Sequence, residues 1–136
     1  MSNFPCRVLC GLLLAPLLLA AGCNSSGLPP TYPVTGSVVY KGGQPMKGGS
    51  VQFTSTQDPG LQVIGTIGDD GTFALTTIRD RARADGAPEG EYRVTVLPPL
   101  QGEHKGLPPI MLPQTYKVGT TDNQFKIQLN VPPPRS

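Results

Sequence analysis

The chain has no tryptophan, one histidine, four tyrosines and four phenylalanines in 136 residues. Without tryptophan it lacks the largest flat rings with which a protein can meet the face of a sugar. A transition-metal site or an acid–base relay needs several convergent groups, and one histidine cannot supply them. Charge is sparse as well: 15% of residues are Asp, Glu, Lys or Arg, and the net charge is +2, so there is no basic footprint for nucleic acid. No helical period of useful length is present. The longest apolar stretch, Val8 to Leu19, is roughly a dozen residues, short of the about 20 a membrane-spanning helix needs.

What is present starts at the N-terminus. Residues 1–22 have the layout of a secretion signal: Arg7 as the one charged side chain, the apolar stretch, then the small residues Ala20, Ala21 and Gly22. With Leu19 before them and Cys23 after them, these residues resemble the lipobox of bacterial lipoproteins. The resemblance implies that the Cys23 thiol takes a diacylglyceryl group, that the leader is cut before it, and that the new amine is acylated. Ala20 stands where leucine is commoner. Two or three acyl chains, at about 0.8 kcal/mol per buried methylene, anchor a protein for good. Asn24 is not the aspartate that signals inner-membrane retention in that family, so the expected location is the cell envelope, on the outer membrane. Cys6 and Cys10 leave with the leader, so the mature chain has no thiol pair for a disulfide and depends on a packed core.

Residues 23–136 are enough for one domain with short ends. Asn24 to Pro33 reads as a tether, flexible at Ser25-Ser26-Gly27 and stiffer at Pro29-Pro30, spanning at most roughly 35 Å. Pro132 to Ser136 reads as a fraying tail. Between them, over 34–131, the pattern is alternation. Val34, Gly36, Val38 and Tyr40 share one face; Val51 and Phe53 begin a second strand; Leu61, Val63 and Ile67 mark a third; Phe73 and Leu75 a fourth. Tyr92, Val94 and Val96 form a fifth and Thr115 to Thr121 a weaker sixth, and Phe125, Ile127, Leu129 and Val131 close the series. A period of two places each apolar set on one side of a sheet, and that side must cover another sheet. The expected fold is an all-β, Greek-key sandwich of about seven strands.

Turn residues agree, with 17 glycines and 16 prolines. Lys41-Gly42-Gly43-Gln44 separates the first two strands, Asp69-Asp70-Gly71 the third and fourth, and Asp122-Asn123 turns into the last.

In this order the motifs resemble the carboxypeptidase-regulatory-like domain. They are Val34-Thr35-Gly36-Ser37-Val38, the run Gly43 to Phe53, Asp69-Asp70-Gly71-Thr72-Phe73, and the run Gly86 to Val96 containing Pro88, Gly90 and Tyr92. The resemblance implies a transthyretin-like sandwich of the kind common in bacterial surface lipoproteins. Tyr92 is expected to bury its ring and bond its hydroxyl to nearby backbone, as in a tyrosine corner.

No catalytic, cofactor-binding or metal-binding set emerges. His104 lies in a polar loop, and Asp69, Asp70 and Asp58 lack the D-x-D-x-D-G spacing of a calcium loop. Lys41-Gly42-Gly43 lacks the phosphate-loop pattern. Arg79, Arg81 and Arg83 alternate with acids and read as a solvated, partly self-paired loop. The best candidate is Pro98 to Pro113, a long loop with five prolines and the apolar Leu100, Leu107, Ile110, Met111 and Leu112. These residues would either meet a protein partner or tuck against the sandwich edge.

The expected function is a non-catalytic, lipid-anchored module that binds another envelope protein or organises the cell surface, with no nucleic-acid partner and no cofactor. A carbohydrate- or polymer-binding module is the alternative. The transthyretin-like family also includes a hydroxyisourate hydrolase, but that chemistry uses several histidines and arginines and a Tyr-Arg-Gly-Ser-like end, which Pro134-Arg135-Ser136 does not match.

Overall fold

The computed structural model describes residues 27–100 and 107–135, and every regular element in them is a strand. The principal strands are β2 (Val34–Val39), β3 (Ser50–Ser55), β4 (Gln62–Thr66), β5 (Thr72–Ala74) running through Leu75 into β6 (Thr76–Arg79), β9 (Gly90–Leu97), β10 (Ile110–Val118) and β11 (Asn123–Gln128). With β5 and β6 taken as one bent strand, the principal strands are the seven read from the sequence. Three short strands complete the set: β1 (Thr31–Tyr32), β7 (Ala82–Asp85) and β8 (Ala87–Pro88).

One sheet has the order β10-β9-β3-β4-β6-β7 and the other the order β11-β2-β5, with β1 and β8 paired beside them. In the larger sheet, β3, β4 and β6 are successive antiparallel neighbours and β9 returns to lie beside β3, which is a Greek key. The first and last principal strands, β2 and β11, pair in parallel, Asn123 opposite Val34 and Gln128 opposite Val39.

Alternation builds the core between the sheets. Val51, Phe53, Val63, Val94 and Val96 point in from the larger sheet, and Val34, Val38, Phe73 and Ile127 from the smaller. Phe53 is the centre of the core: the rings of Phe73, Tyr92, Tyr116 and Phe125 lie 6.0–6.2 Å from it. Gly36 makes room here, because a Cβ on it would come within 2.6 Å of the Phe73 ring. The buried hydroxyl of Thr77 donates to the Gly86 carbonyl at 2.7 Å, and no buried side-chain polar atom among the described residues lacks a partner.

Several expectations change. Asp69-Asp70-Gly71 does turn the chain, with the Gly68 amide bonded to the Thr72 carbonyl, but β4 and β5 lie in different sheets, so the turn is a crossover and no ladder hairpin follows. The arginine-rich stretch is a hairpin and not a loop: β6 and β7 pair across Asp80-Arg81, with Asp80 at a φ of 52°. The alanines and the aspartate of β7 have low strand propensity, yet its charged residues suit an exposed edge strand, which explains why β7 was not legible. The tether also ends earlier than expected. Leu28 packs against the core, and Thr31 and Tyr32 pair with Pro88 and Ala87. The last strand stops at Gln128, although Leu129 remains buried and its amide bonds to the Val39 carbonyl.

Candidate functional site

The topology gives the sandwich two distinct ends. The chain enters at the first, where Thr31–Tyr32 pairs with Ala87–Pro88 and the Asn123 amide bonds to the Pro33 carbonyl. The Tyr92 hydroxyl donates to the Pro88 carbonyl at 2.8 Å, the backbone bond expected of it. Arg79 pairs with Asp58, not with its neighbours Asp80 or Asp85, and also donates to the Gly27 carbonyl. This end therefore fixes the tether to the fold.

The second end gathers the candidate segment. β9 runs away from the tether and finishes at Leu97, and its eight residues span about 25 Å. Leu100 follows and is 93% exposed. Leu107 and Leu112 are half-buried, while Met111 is 74% exposed. The segment is not all loop, because β10 begins at Ile110, which pairs with Val96, and Met111 pairs with Thr95. Period-two alternation then decides the outcome residue by residue. Ile110 and Leu112 pack against the core and Met111 projects outward.

A bulge follows. Met111 faces Thr95 but Thr115 faces Arg93, so β10 carries extra residues between them, Pro113 included. A proline there lacks the N–H that a regular ladder would use, which hid residues 110–114 of the strand from a sequence reading that placed it at Thr115 to Thr121.

The C-terminal residues join this end. The Lys41 amide donates to the Val131 carbonyl, and Pro133 and Pro134 are half-buried. Together with Pro132 and Arg135 they line a groove of about 330 Å³ with Leu107, Pro108 and Ile110, so residues 132–135 lie along the candidate segment. A second groove of about 310 Å³ lies beside it, between Met111 to Gln114 and Gln128 to Val131.

A larger open groove, about 840 Å³, lies along β11, β2 and β5 and includes Thr35, Ser37, Thr72, Gln124 and Lys126. It offers hydroxyls, an amide and an amine. None of the four tyrosines is exposed, so it presents no tyrosine platform.

The acidic residues are placed apart. Asp58 pairs with Arg79, whereas Asp70 accepts from the Thr72 hydroxyl at 2.7 Å and its amide at 3.0 Å, which holds its carboxyl below the ordinary range. Among the described residues no cluster of three His, Cys, Asp or Glu could hold a metal ion. Cys23 and His104 lie outside the described residues.

The sequence matches no family model and no curated protein. The chain is similar to the crystal structure of a DUF3823 family protein from Parabacteroides merdae ATCC 43184, with 18% identity and a TM-score of 0.48. The similarity covers 76% of this chain and 47% of that one, so the chain spans less than half the length of that protein.

Proposed function

We propose that this chain is a lipid-anchored, non-catalytic envelope module that docks another envelope protein through the end of the sandwich bearing Leu100, Leu107, Ile110, Met111 and Leu112. One observation carries the reading: the tether and this apolar segment occupy opposite ends of the fold. With Leu28 already packed on the domain, Cys23 to Gly27 can reach at most about 17 Å. Acyl chains on Cys23 hold the first end near the bilayer and turn Met111 and Leu100 away from it, where apolar side chains can meet a partner. The lipobox residues support the anchor, and the ordered motifs from Val34 to Val96 support kinship with carboxypeptidase-regulatory-like lipoprotein domains.

The test has two parts. Cys23→Ser is expected to move the protein from the membrane fraction to the soluble one; unchanged partition removes the anchor. Cross-linking in intact cells is expected to capture a specific envelope protein with wild type and not with a Leu100→Asp/Met111→Asp variant. Both side chains are exposed, so the variant keeps its fold. Capture unaffected by the variant overturns the site.

The open groove along β2 supports a second reading, binding of a hydroxyl-rich surface polymer. Retention on glycan arrays that is lost in Ser37→Val/Gln124→Ala would favour it.

A further inference from the structure

Resting on the docking reading above, we infer that the groove between Leu107–Ile110 and Val131–Arg135 receives an aromatic side chain presented by an acidic segment of the partner protein. Four of its lining residues are prolines, Pro108 and Pro132 to Pro134, and the other apolar ones are Leu107, Ile110 and Val131. Prolines have no N–H to offer. Neither the tail nor Pro108 can therefore zip an incoming strand into a ladder, and docking by strand addition is disfavoured on this side. Side-chain insertion is left.

Size narrows the occupant. A volume of about 330 Å³ accepts a large side chain, whereas an α-helix about 10 Å across does not fit inside it. Chemistry narrows it further. Proline-rich segments elsewhere are recognised by aromatic rings, which stack on the stiff, apolar pyrrolidine faces. Here the prolines belong to this chain, so the rings belong to the partner. Among the exposed large hydrophobics of the described residues none is aromatic, so the domain cannot fill the groove of a second copy with an exposed ring of its own.

Charge sets the surroundings of that ring. Arg135 is the one charged residue lining the groove, and Lys41, whose amide is bonded to the Val131 carbonyl, adds a second cation at this end. No described carboxylate lines it. A carboxylate flanking the inserted ring can pair with the exposed guanidinium of Arg135 at the rim of the groove.

The test uses the absence of tryptophan from the chain, which lets a tryptophan peptide report binding without background. The full-length protein in non-ionic micelles is titrated into the acetylated peptide Glu-Asp-Trp-Asp-Glu, against micelles alone, with indole emission and anisotropy as readouts. A saturable blue shift is expected. The acetylated Lys-Lys-Trp-Lys-Lys peptide is expected to bind at least about tenfold more weakly, and Leu107→Asp to raise Kd by at least about tenfold. Pro133→Asp serves as the second variant, since it lies outside every ladder and a circular dichroism melt checks that its sandwich stays folded; it is expected to weaken binding in the same way. Arg135→Glu is expected to erase the preference for the acidic peptide.

Equal binding of the acidic and basic peptides, or wild-type binding by both groove variants, overturns the inference. Cross-linking in cells with Pro133→Asp separates its failure from that of the docking reading. If the captured protein is lost while the peptide does not bind, the end of the fold docks a partner of other chemistry. If the protein is still captured, the groove is not part of the docking surface and the inference falls with it.

Discussion

The Tyr92 hydroxyl donates to the carbonyl of Pro88, four residues earlier, at 2.8 Å, and both residues are buried. The bond pins the entry to β9 against the strand that receives the tether, since Pro88 pairs with Thr31. One side chain therefore links the aromatic cluster around Phe53 to the short strand pair at the N-terminal end of the described fold.

Tyr92→Phe keeps the ring against Phe53 and leaves the Pro88 carbonyl without that donor. An unsatisfied buried acceptor costs about 1–3 kcal/mol, and at about 4–8 °C per kcal/mol the melting temperature should fall by at least several degrees. Calorimetry of the two proteins checks it, and an unchanged melt would show that the bond contributes nothing. A pH series adds a second readout. Burial, reinforced by the Asp58 charge, pushes the Tyr92 hydroxyl up to about 12. The folded state then holds its proton more tightly than the unfolded state does. Stability from this group is intact below about pH 10 and is lost as pH rises from there through 12. The substitution should flatten that alkaline loss, leaving the part due to Tyr40 and Tyr116, which burial also raises.

Gly36→Val should destabilise strongly. A Cβ at this position meets the Phe125 carbonyl at 2.4 Å and the Phe73 ring at 2.6 Å, so both neighbouring strands must shift. Overpacking of this kind costs about 1–3 kcal/mol or more. Phe73→Leu in the same chain should recover part of the loss, because the backbone clash with Phe125 stays. Denaturant melts of the single and double variants measure the coupling, and strict additivity would mean that the two residues do not interfere.

Leu129→Asp and Met111→Asp should behave oppositely. Leu129 is fully buried and a charge there has no partner, so the domain should lose its cooperative melt. Met111 is 74% exposed on the outer side of β10, so its variant should melt within about 0.5 kcal/mol of wild type. Circular dichroism melts of both decide whether Leu129, just past β11, and Met111, in β10, are assigned to the right sides of the sandwich.

The Arg79–Asp58 pair is partly exposed, with side chains 31% and 49% accessible. An ion pair in that setting is worth about 0–1 kcal/mol, so Asp58→Asn should scarcely move the melting temperature. Arg79→Ala removes the bond to the Gly27 carbonyl as well, and faster proteolytic cleavage next to Gly27 is the expected signature. Equal cleavage rates would show that Arg79 does not hold the tether.

Sequence alone determined the principal strands, because alternation is local: Phe125, Ile127 and Leu129 can share a face only if the chain there is extended. It also determined the turn at Gly71, where a φ of +81° suits glycine, and the hydroxyl bond of Tyr92. Tertiary structure decided what local pattern could not. β7 forms from Ala82 to Asp85 because β6 offers it an open edge, and the strand β10 continues through Pro113 because a bulge takes up the residue that cannot donate. The same holds for the candidate site. The apolar residues from Leu100 to Leu112 were visible in the sequence, but their separation into inward Ile110 and Leu112 and outward Met111 depends on pairing with β9. That Pro132 to Pro134 should lie beside Leu107, at the end opposite the tether, follows from contacts between residues distant in the chain. Such contacts are set by which faces bury one another, and periodicity records only that a face exists.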